Sequence, residues 1–387
     1  MSAVAQRLAP FGTTVFARIS AQAAARGAVN LGQGFPDFDG PDFVREAAKR
    51  AVDEGRNQYC PMQGVPELRR AIAAFFATGG PQQRLELDAE EEITVTPGCT
   101  GAIAAATLGL VNPGEEVVLF EPYYDSYRAC CAMAGATPRF VTLHGPDFTF
   151  DPDELRAAVT PRTRAILVNT PHNPTGRVFT REELQTIADV CLERDLIALS
   201  DEVYERLVFE GEHLRLAALP GMRERTLTLS SLGKTFSLTG WKIGWAAGPA
   251  DLVAGVRAAN QFLVYCVATP LQYAAAEALA APASYYDEFL REYRARRDLL
   301  VEGLREAGFL VEPPQGTYFV LADHTPFGVG DDEAFCAHML EKAGVAAIPP
   351  TAFYENKDEG RRYVRFGFCK RRSTLEEACR RLRALRT

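Results

Sequence analysis

The chain has 387 residues, 47% of them hydrophobic and 24% charged, with a formal net charge of −8 and a pI near 5.4. Such a length allows two lobes around a large core, and the acidic balance argues against a general nucleic-acid binder. No apolar run approaches the ~20 residues that cross a bilayer. The nine cysteines show no C-x-x-C spacing and read as reduced thiols of a cytoplasmic protein rather than a disulfide framework.

The opening "MSAVAQRLAPFGTTVFARIS" lacks the basic head and apolar core of a secretory signal. Strand-like runs then alternate with helical patterns. "EEITVTPG" leads into "CTGAIAAATLGLV", and "EEVVLFEP" into "YDSYRACCAMAGA". "TRAILVNTP" precedes a helix opened by Thr180 and Glu183, which have the spacing of a capping box. "LIALSDE" and "RTLTLSS" continue the series. Several runs are apolar on both faces, as parallel strands covered by helices require, so an α/β fold with a mostly parallel sheet is expected. Beyond "YYDEFLREYRARRDLLVEGLREAG" come "GTYFVLAD", "DEAFCAHMLEKAG", "YVRFGFCK" and "TLEEACRRLRALR", which read as a smaller α+β lobe joined by the N-terminal segment. The expected division is a large domain over 45–285 and a small one from 1–44 with 286–387.

The segment "SSLGKTFSLTGWKIGW", Ser230 to Trp245, isolates one lysine, Lys234, among small residues. Its "GKT" resembles the end of a phosphate-binding P-loop, but that motif needs glycine at 228, where the chain has Thr228. Ser231 and Lys234 form S-x-x-K, yet the S-D-N and K-T-G partners of that nucleophile pair are absent. The five histidines are scattered, and no His/Cys cluster has metal spacing, so no metal is expected.

Three strand-end segments remain: "NTPHNPTG", "SDEVYERL" and the lysine segment. In a parallel sheet they bring Asn173, Asp201, Tyr204 and Lys234 to one edge, where α/β folds bind ligands. A lysine amine, a carboxylate and hydroxyl or amide donors are what pyridoxal phosphate asks of a protein. "TPGCTGA", at the start of a helix, offers backbone N–H groups for its phosphate.

With "NLGQGFPDFDGP", "NPTG" and "GKTFSLTGWKIGW" in this order, the chain resembles the class I aminotransferases among the fold-type-I pyridoxal-phosphate enzymes. It is most similar to the kynurenine/glutamine/methionine branch, while "RFGFCKR" looks like actinobacterial enzymes assigned to N-succinyldiaminopimelate amination. The resemblance covers nearly the whole chain. It implies a large domain with a seven-stranded, mostly parallel sheet, a smaller α+β domain, pyridoxal 5'-phosphate as cofactor, and a homodimer with shared active sites. It also implies roles. Lys234 would link to the cofactor and later shuttle the Cα proton, Asp201 would keep the pyridine nitrogen protonated, and Tyr204 with Asn173 would hold the phenolate oxygen. Tyr124 would stack on the ring, and Cys99, Thr100, Ser231 and Lys242 would hold the phosphate, Cys99 through its backbone alone. Tyr59 would reach the phosphate of the neighbouring subunit. Arg365 would pair with the substrate α-carboxylate beside Gly34 and Asn173, and Phe16, Thr100 and Phe353, with Tyr265 nearby, would line the side-chain pocket. Lys242 stands where many class I members have arginine, a less directional phosphate ligand.

The implied reaction is transamination between an L-amino acid, neutral, aromatic or sulfur-containing, and a 2-oxo acid. N-succinyldiaminopimelate amination and β-elimination from cysteine conjugates are the alternatives. A regulatory protein of this fold would need a DNA-binding domain, for which the thirty or so residues before "NLGQGF" are too few. Arg18, close to Phe16 in sequence, is the one cation that leaves the pocket's charge open.

Overall fold

The structure, a computed structural model, describes residues 4–386. A short strand β1 (Val29–Asn30) is followed by seven strands that form one sheet: β2 (Ile93–Pro97), β3 (Glu116–Glu121), β4 (Thr137–Thr142), β5 (Thr163–Asn169), β6 (Ile197–Asp201), β7 (Thr226–Ser231) and β8 (Ile243–Ala247). Their order is β2-β8-β7-β6-β5-β3-β4. The pairs from β7 through β4 are parallel, and β8 runs antiparallel to both neighbours.

Strand alternation sorts the apolar residues onto two faces. Val117, Leu119, Ala165, Leu167, Ile197 and Leu199 pack on one side with Ala102, Ala105 and Ala106 of the helix Gly98–Leu110. Val118, Phe120, Ile166, Val168 and Ala198 pack on the other with Leu184, Ile187 and Cys191 of the helix Arg181–Arg194. Burial on both faces is why these strands read as continuous apolar runs. The helix Arg181–Arg194 opens with the expected capping box, Thr180 and Glu183 each bonding the other's backbone.

The small lobe pairs β9 (Phe319–Asp323) antiparallel with β11 (Tyr363–Gly367), while β10 (Val345–Ala346) lies between them in sequence. β1 pairs in parallel with β10, Val29 opposite Val345, so the N-terminal segment folds into the C-terminal lobe. We keep the division at 45 and 285 as a proposal. Both points fall in the first turns of helices, Asp42–Asp53 and Ala283–Ala307, so a helix rather than a loose linker crosses each. All nine cysteines are free. Among the described residues no helix is long and apolar enough to cross a membrane.

Candidate active site

The carboxyl ends of β5, β6 and β7 open into a cavity of about 260 Å³. Asn173, Asp201, Tyr204, Ser231 and Lys234 all border it, with Cys99, Thr100, Tyr124, Lys242, Gly34, Phe16 and Arg365. Asn169, the last residue of β5, ties two of the loops together. Its amide donates to Asp201 O at 2.9 Å and its carbonyl accepts from Asn173 N at 2.8 Å.

Asp201 is buried and its carboxylate faces three donors. Tyr127 Oη donates to Oδ2 at 2.7 Å, Val203 N to Oδ1 at 3.2 Å and Cys99 Sγ to Oδ1 at 3.5 Å. Burial still pushes the carboxyl above its ordinary range, against these donors and the positive field of Lys234. Among the described residues no cation pairs directly with this carboxylate. The Cys99 thiol is also raised well above its usual value by burial and by Asp201, which leaves it inert. Besides the backbone role expected of Cys99, its side chain helps seat Asp201.

Beneath this turn lies a buried charge network that the sequence reading missed. Arg215 pairs with Glu202 at 3.0 Å and Glu205 at 2.6 Å, and His213 Nε2 lies 2.9 Å from Glu202. Ser200 and Ser230 donate to the same two carboxylates. The turn carrying Asp201 and Tyr204 is thereby fastened to β6 and β7, and each buried carboxylate has the charged partner it needs.

Lys234 lies in the short helix Leu232–Thr235, directly after β7. Its Nζ donates to Tyr318 Oη at 2.9 Å, and burial lowers its pKa from the ordinary lysine value. A larger neutral fraction suits an amine that must act as nucleophile and base. The Tyr204 ring meets Tyr318 edge-on at 5.2 Å. Tyr318, within "GTYFVLAD", is a second residue the sequence reading missed, and Tyr127 is a third.

The helix Gly98–Leu110 begins at the cavity with no side chain capping its first N–H groups. Thr100, Ser231 and Lys242 border the same end. Gly98 has φ +74°, and a Cβ there would stand 3.1 Å from Lys242 Nζ, filling the concavity. Uncapped helix N–H groups, two hydroxyls and an ammonium are a donor set for a phosphate-like anion. Lys242 itself adopts φ 53°, a left-handed conformation uncommon for a non-glycine residue.

Arg365, in β11, is buried among the rings of Phe16, Phe319 and Phe353, whose centroids lie 5.1, 4.1 and 5.2 Å from its guanidinium carbon. Its Nη1 donates to Asn173 Oδ1 at 3.1 Å and its Nη2 to Gly32 O at 2.8 Å, while its buried Nε has no partner. Burial pushes its pKa down to about 10, which leaves it charged at neutral pH. Stacked rings orient the planar cation toward a carboxylate. Arg18 does not join it; its guanidinium pairs with Glu333 at 3.3 Å.

Three expected residues lie elsewhere. Phe353 does not border the cavity but packs behind Phe16, ring centroids 5.7 Å apart, and so reaches the site only through Phe16 and Arg365. Tyr59 is 84% exposed and lies against Tyr265, ring centroids 5.4 Å apart, and neither ring enters this chain's cavity.

The family described as aminotransferase class I and II matches residues 26–382. A solved structure of N-succinyldiaminopimelate aminotransferase from Mycobacterium tuberculosis shares 52% sequence identity and a TM-score of 0.95, covering 99% of this chain and all of that one. The methionine aminotransferase of Escherichia coli is 40% identical over 98% of this chain and 97% of its own length. The kynurenine–oxoglutarate transaminase 3 of Rattus norvegicus is 40% identical over 97% and 88% of the two chains. The protein belongs to the class I and II aminotransferases and is an enzyme of that family.

Proposed function

We propose that this enzyme moves an amino group from an L-amino acid to a 2-oxo acid in a ping-pong cycle, with pyridoxal 5'-phosphate as cofactor and a donor uncharged near Cα. The observation that carries the reading is one cavity bordered at once by Lys234, the buried Asp201 and the buried Arg365 with its unpartnered Nε. The residues present fit the cofactor. The uncapped helix start, Thr100, Ser231 and Lys242 suit its phosphate, and Asp201 suits a cationic ring nitrogen. When bound, the group supplies an aldehyde for an amine and a ring that takes up the electrons left at Cα.

Each residue then has a task. Lys234 holds and moves the proton at Cα, and its lowered pKa favours the base form. Asp201 would keep a proton on the ring nitrogen, Tyr204 and Asn173 would hold the phenolate oxygen, and Tyr124 would stack on the ring; all four border the cavity. Arg365 grips the α-carboxylate with a planar fork, with Gly34 alongside.

Phe16, Phe35, Ile103, Val203, Ile243 and Phe319 form the apolar part of the wall. The cavity's cations are Arg365, Lys234 and Lys242, and each has an assigned partner in this scheme. A second carboxylate close to Cα would be desolvated without a cation, at a cost of several kcal/mol. Methionine, phenylalanine, kynurenine or glutamine should therefore exceed aspartate in kcat/KM by about tenfold or more. Mixing holoenzyme with each donor and one 2-oxo acid, and following the cofactor spectrum, tests this; a preference for aspartate sinks the pocket assignment. Ammonia and pyruvate released from a cysteine conjugate without any 2-oxo acid would instead mark β-elimination.

A second reading takes N-succinyldiaminopimelate as donor, favoured by the 52% identity to the mycobacterial enzyme. The distal carboxylates of that substrate stand a run of methylenes away from Cα, so an apolar wall near Cα does not oppose it. Arg128, one helical turn after Tyr124 and paired with Glu355 at 3.4 Å, is the candidate to meet such a charge. A clear preference for this donor in the same panel would select the second reading.

The homodimer belongs to the proposal too. What supports it is an exposed apolar patch of Tyr59, Phe262, Leu263, Val264 and Tyr265, with Phe262 87% exposed. Such a patch favours burial against a second copy. Mixing Tyr59→Ala and Lys234→Ala subunits should restore one intact site per heterodimer at limiting cofactor. No gain over the two parents, or a fully active monomer, would refute a Tyr59 that acts across the interface.

A further inference from the structure

The Tyr318 hydroxyl has the Tyr204 hydroxyl within hydrogen-bond reach and two further partners. It accepts from Lys234 Nζ at 2.9 Å and donates to the backbone carbonyl of Gly34. Gln33, Gly34 and Phe35 of the N-terminal segment border the cavity. Carbonyls of that segment are bonded by side chains of the small lobe. Gly32 O accepts from Arg365 Nη2 at 2.8 Å, Gly34 O from Tyr318, and Phe35 O from Lys370 Nζ at 2.7 Å. Among these donors, Tyr318 alone also contacts Lys234. The residue before it, Thr317, is buried with φ 64°, a conformation a β-branched residue adopts only at a cost. That backbone is fixed by Thr317 N donating to Leu207 O at 2.9 Å and by Thr317 Oγ1 accepting from Phe319 N at 3.1 Å.

We infer that Tyr318 is a positioning residue that couples the charge and placement of the Lys234 amine to the order of the N-terminal segment at Gly34. The hydroxyl is not itself an acid or base, because burial holds its pKa well above that of an ordinary tyrosine. Its proton is engaged by Gly34 O, so it offers Lys234 a lone pair, and a lone pair stabilises the ammonium more than the amine. The other groups facing Lys234 are Asp201, Cys99, Cys369, Lys242 and the Tyr204 ring; Cys369 also reaches the segment, its Sγ donating to Gln33 O at 3.9 Å, but among the described residues Tyr318 alone hydrogen-bonds both Lys234 and the segment. When Lys234 leaves its place, the Gly34 contact loses part of its polarisation and the segment loosens. The site would thus register the state of its own catalytic amine.

The test uses Tyr318→Phe, which removes one oxygen and keeps the ring contacts with Tyr204, Tyr293 and Phe319. In the full-length chain freed of bound small molecules, Lys234 is methylated with formaldehyde and a borane reductant across pH, and the modified peptide is quantified by mass spectrometry. The labelling midpoint should fall by about one pH unit in the variant, which makes labelling about tenfold faster below it. In the protein as purified, amide exchange over residues 31–35 should accelerate about tenfold. An unchanged midpoint overturns the inference even if Tm drops, since a purely structural hydroxyl would lower Tm alone. A shifted midpoint with unchanged exchange overturns the coupling to the segment. The inference rests on Lys234 as the catalytic amine, but neither readout needs turnover, so failure here is distinct from failure of the proposed reaction.

Discussion

Lys234→Ala is expected to lower kcat/KM by more than about ten-thousandfold, or some 5.5 kcal/mol, because one residue supplies both the covalent amine and the Cα base. The other two ammonium groups close by are committed. Lys242 Nζ lies where a Cβ on Gly98 would crowd it, and Lys370 Nζ donates to Phe35 O. Neither replaces Lys234 at the end of β7. The variant should still retain cofactor through Asp201 and the anion cradle, measured by equilibrium dialysis, while losing the visible band of the lysine-linked form. Near-normal steady-state transamination by Lys234→Ala would end the catalytic reading.

Asp201→Asn is expected to lower kcat/KM by about 3–5 kcal/mol, the loss found when one member of a buried charge pair is removed. Its carboxylate already has Tyr127, Val203 and Cys99 as donors, so the interaction lost in the variant is the one with a cation in the cavity. A loss of tenfold or less would count against the pyridinium role. Stability supplies an independent readout. Burial raises the pKa of Asp201 in the folded chain. A carboxyl raised on folding holds its proton more tightly in the native state. It therefore costs the cofactor-free chain stability as pH climbs from the ordinary carboxylate range through the raised value. The cofactor-free Asp201→Asn protein should therefore match or exceed the wild type in Tm at neutral pH, with the difference closing toward acid pH. A cofactor-free variant markedly less stable at neutral pH would mean that the carboxylate serves the fold rather than the ligand.

Both variants concern residues that could be read directly from the sequence, because strand ends followed by polar turns mark themselves. Asn173, Asp201 and Lys234 each follow an apolar run in a periodic series, and such a series places them on one edge without further information. The helix cap at Thr180 is similarly local, four residues in a row. What stayed hidden was long-range. Tyr127 sits 74 residues from Asp201, and Tyr318 sits 84 from Lys234. Taken alone, Tyr127 is an apolar-face aromatic of a helix and Tyr318 an aromatic just ahead of the strand that starts at Phe319. Their hydroxyls gain meaning only when the sheet closes. The same holds for Arg215, which meets Glu202 and Glu205 only once the turn after β6 has folded. Tyr265 was placed by resemblance alone, and in this chain its backbone, at φ 61°, sets the ring beside Tyr59.

The pairing of β1 with β10 has a consequence for how the molecule is born. β1 ends at Asn30, but its partner begins at Val345. On a ribosome adding ~5–20 residues per second, the interval between the two is on the order of tens of seconds. The seven strands of the main sheet lie within 93–247, so the floor with Asp201 and Lys234 can assemble during that interval. Gly32 and Arg365, which stand on β1's and β11's side of the cavity, are joined only when the last strands emerge. Until then the first strand waits as an unpaired edge, and the nascent chain carries half of its catalytic groups with no means of gripping a substrate carboxylate. Synthesis order thus keeps the reactive amine and the substrate clamp apart until the chain is nearly finished.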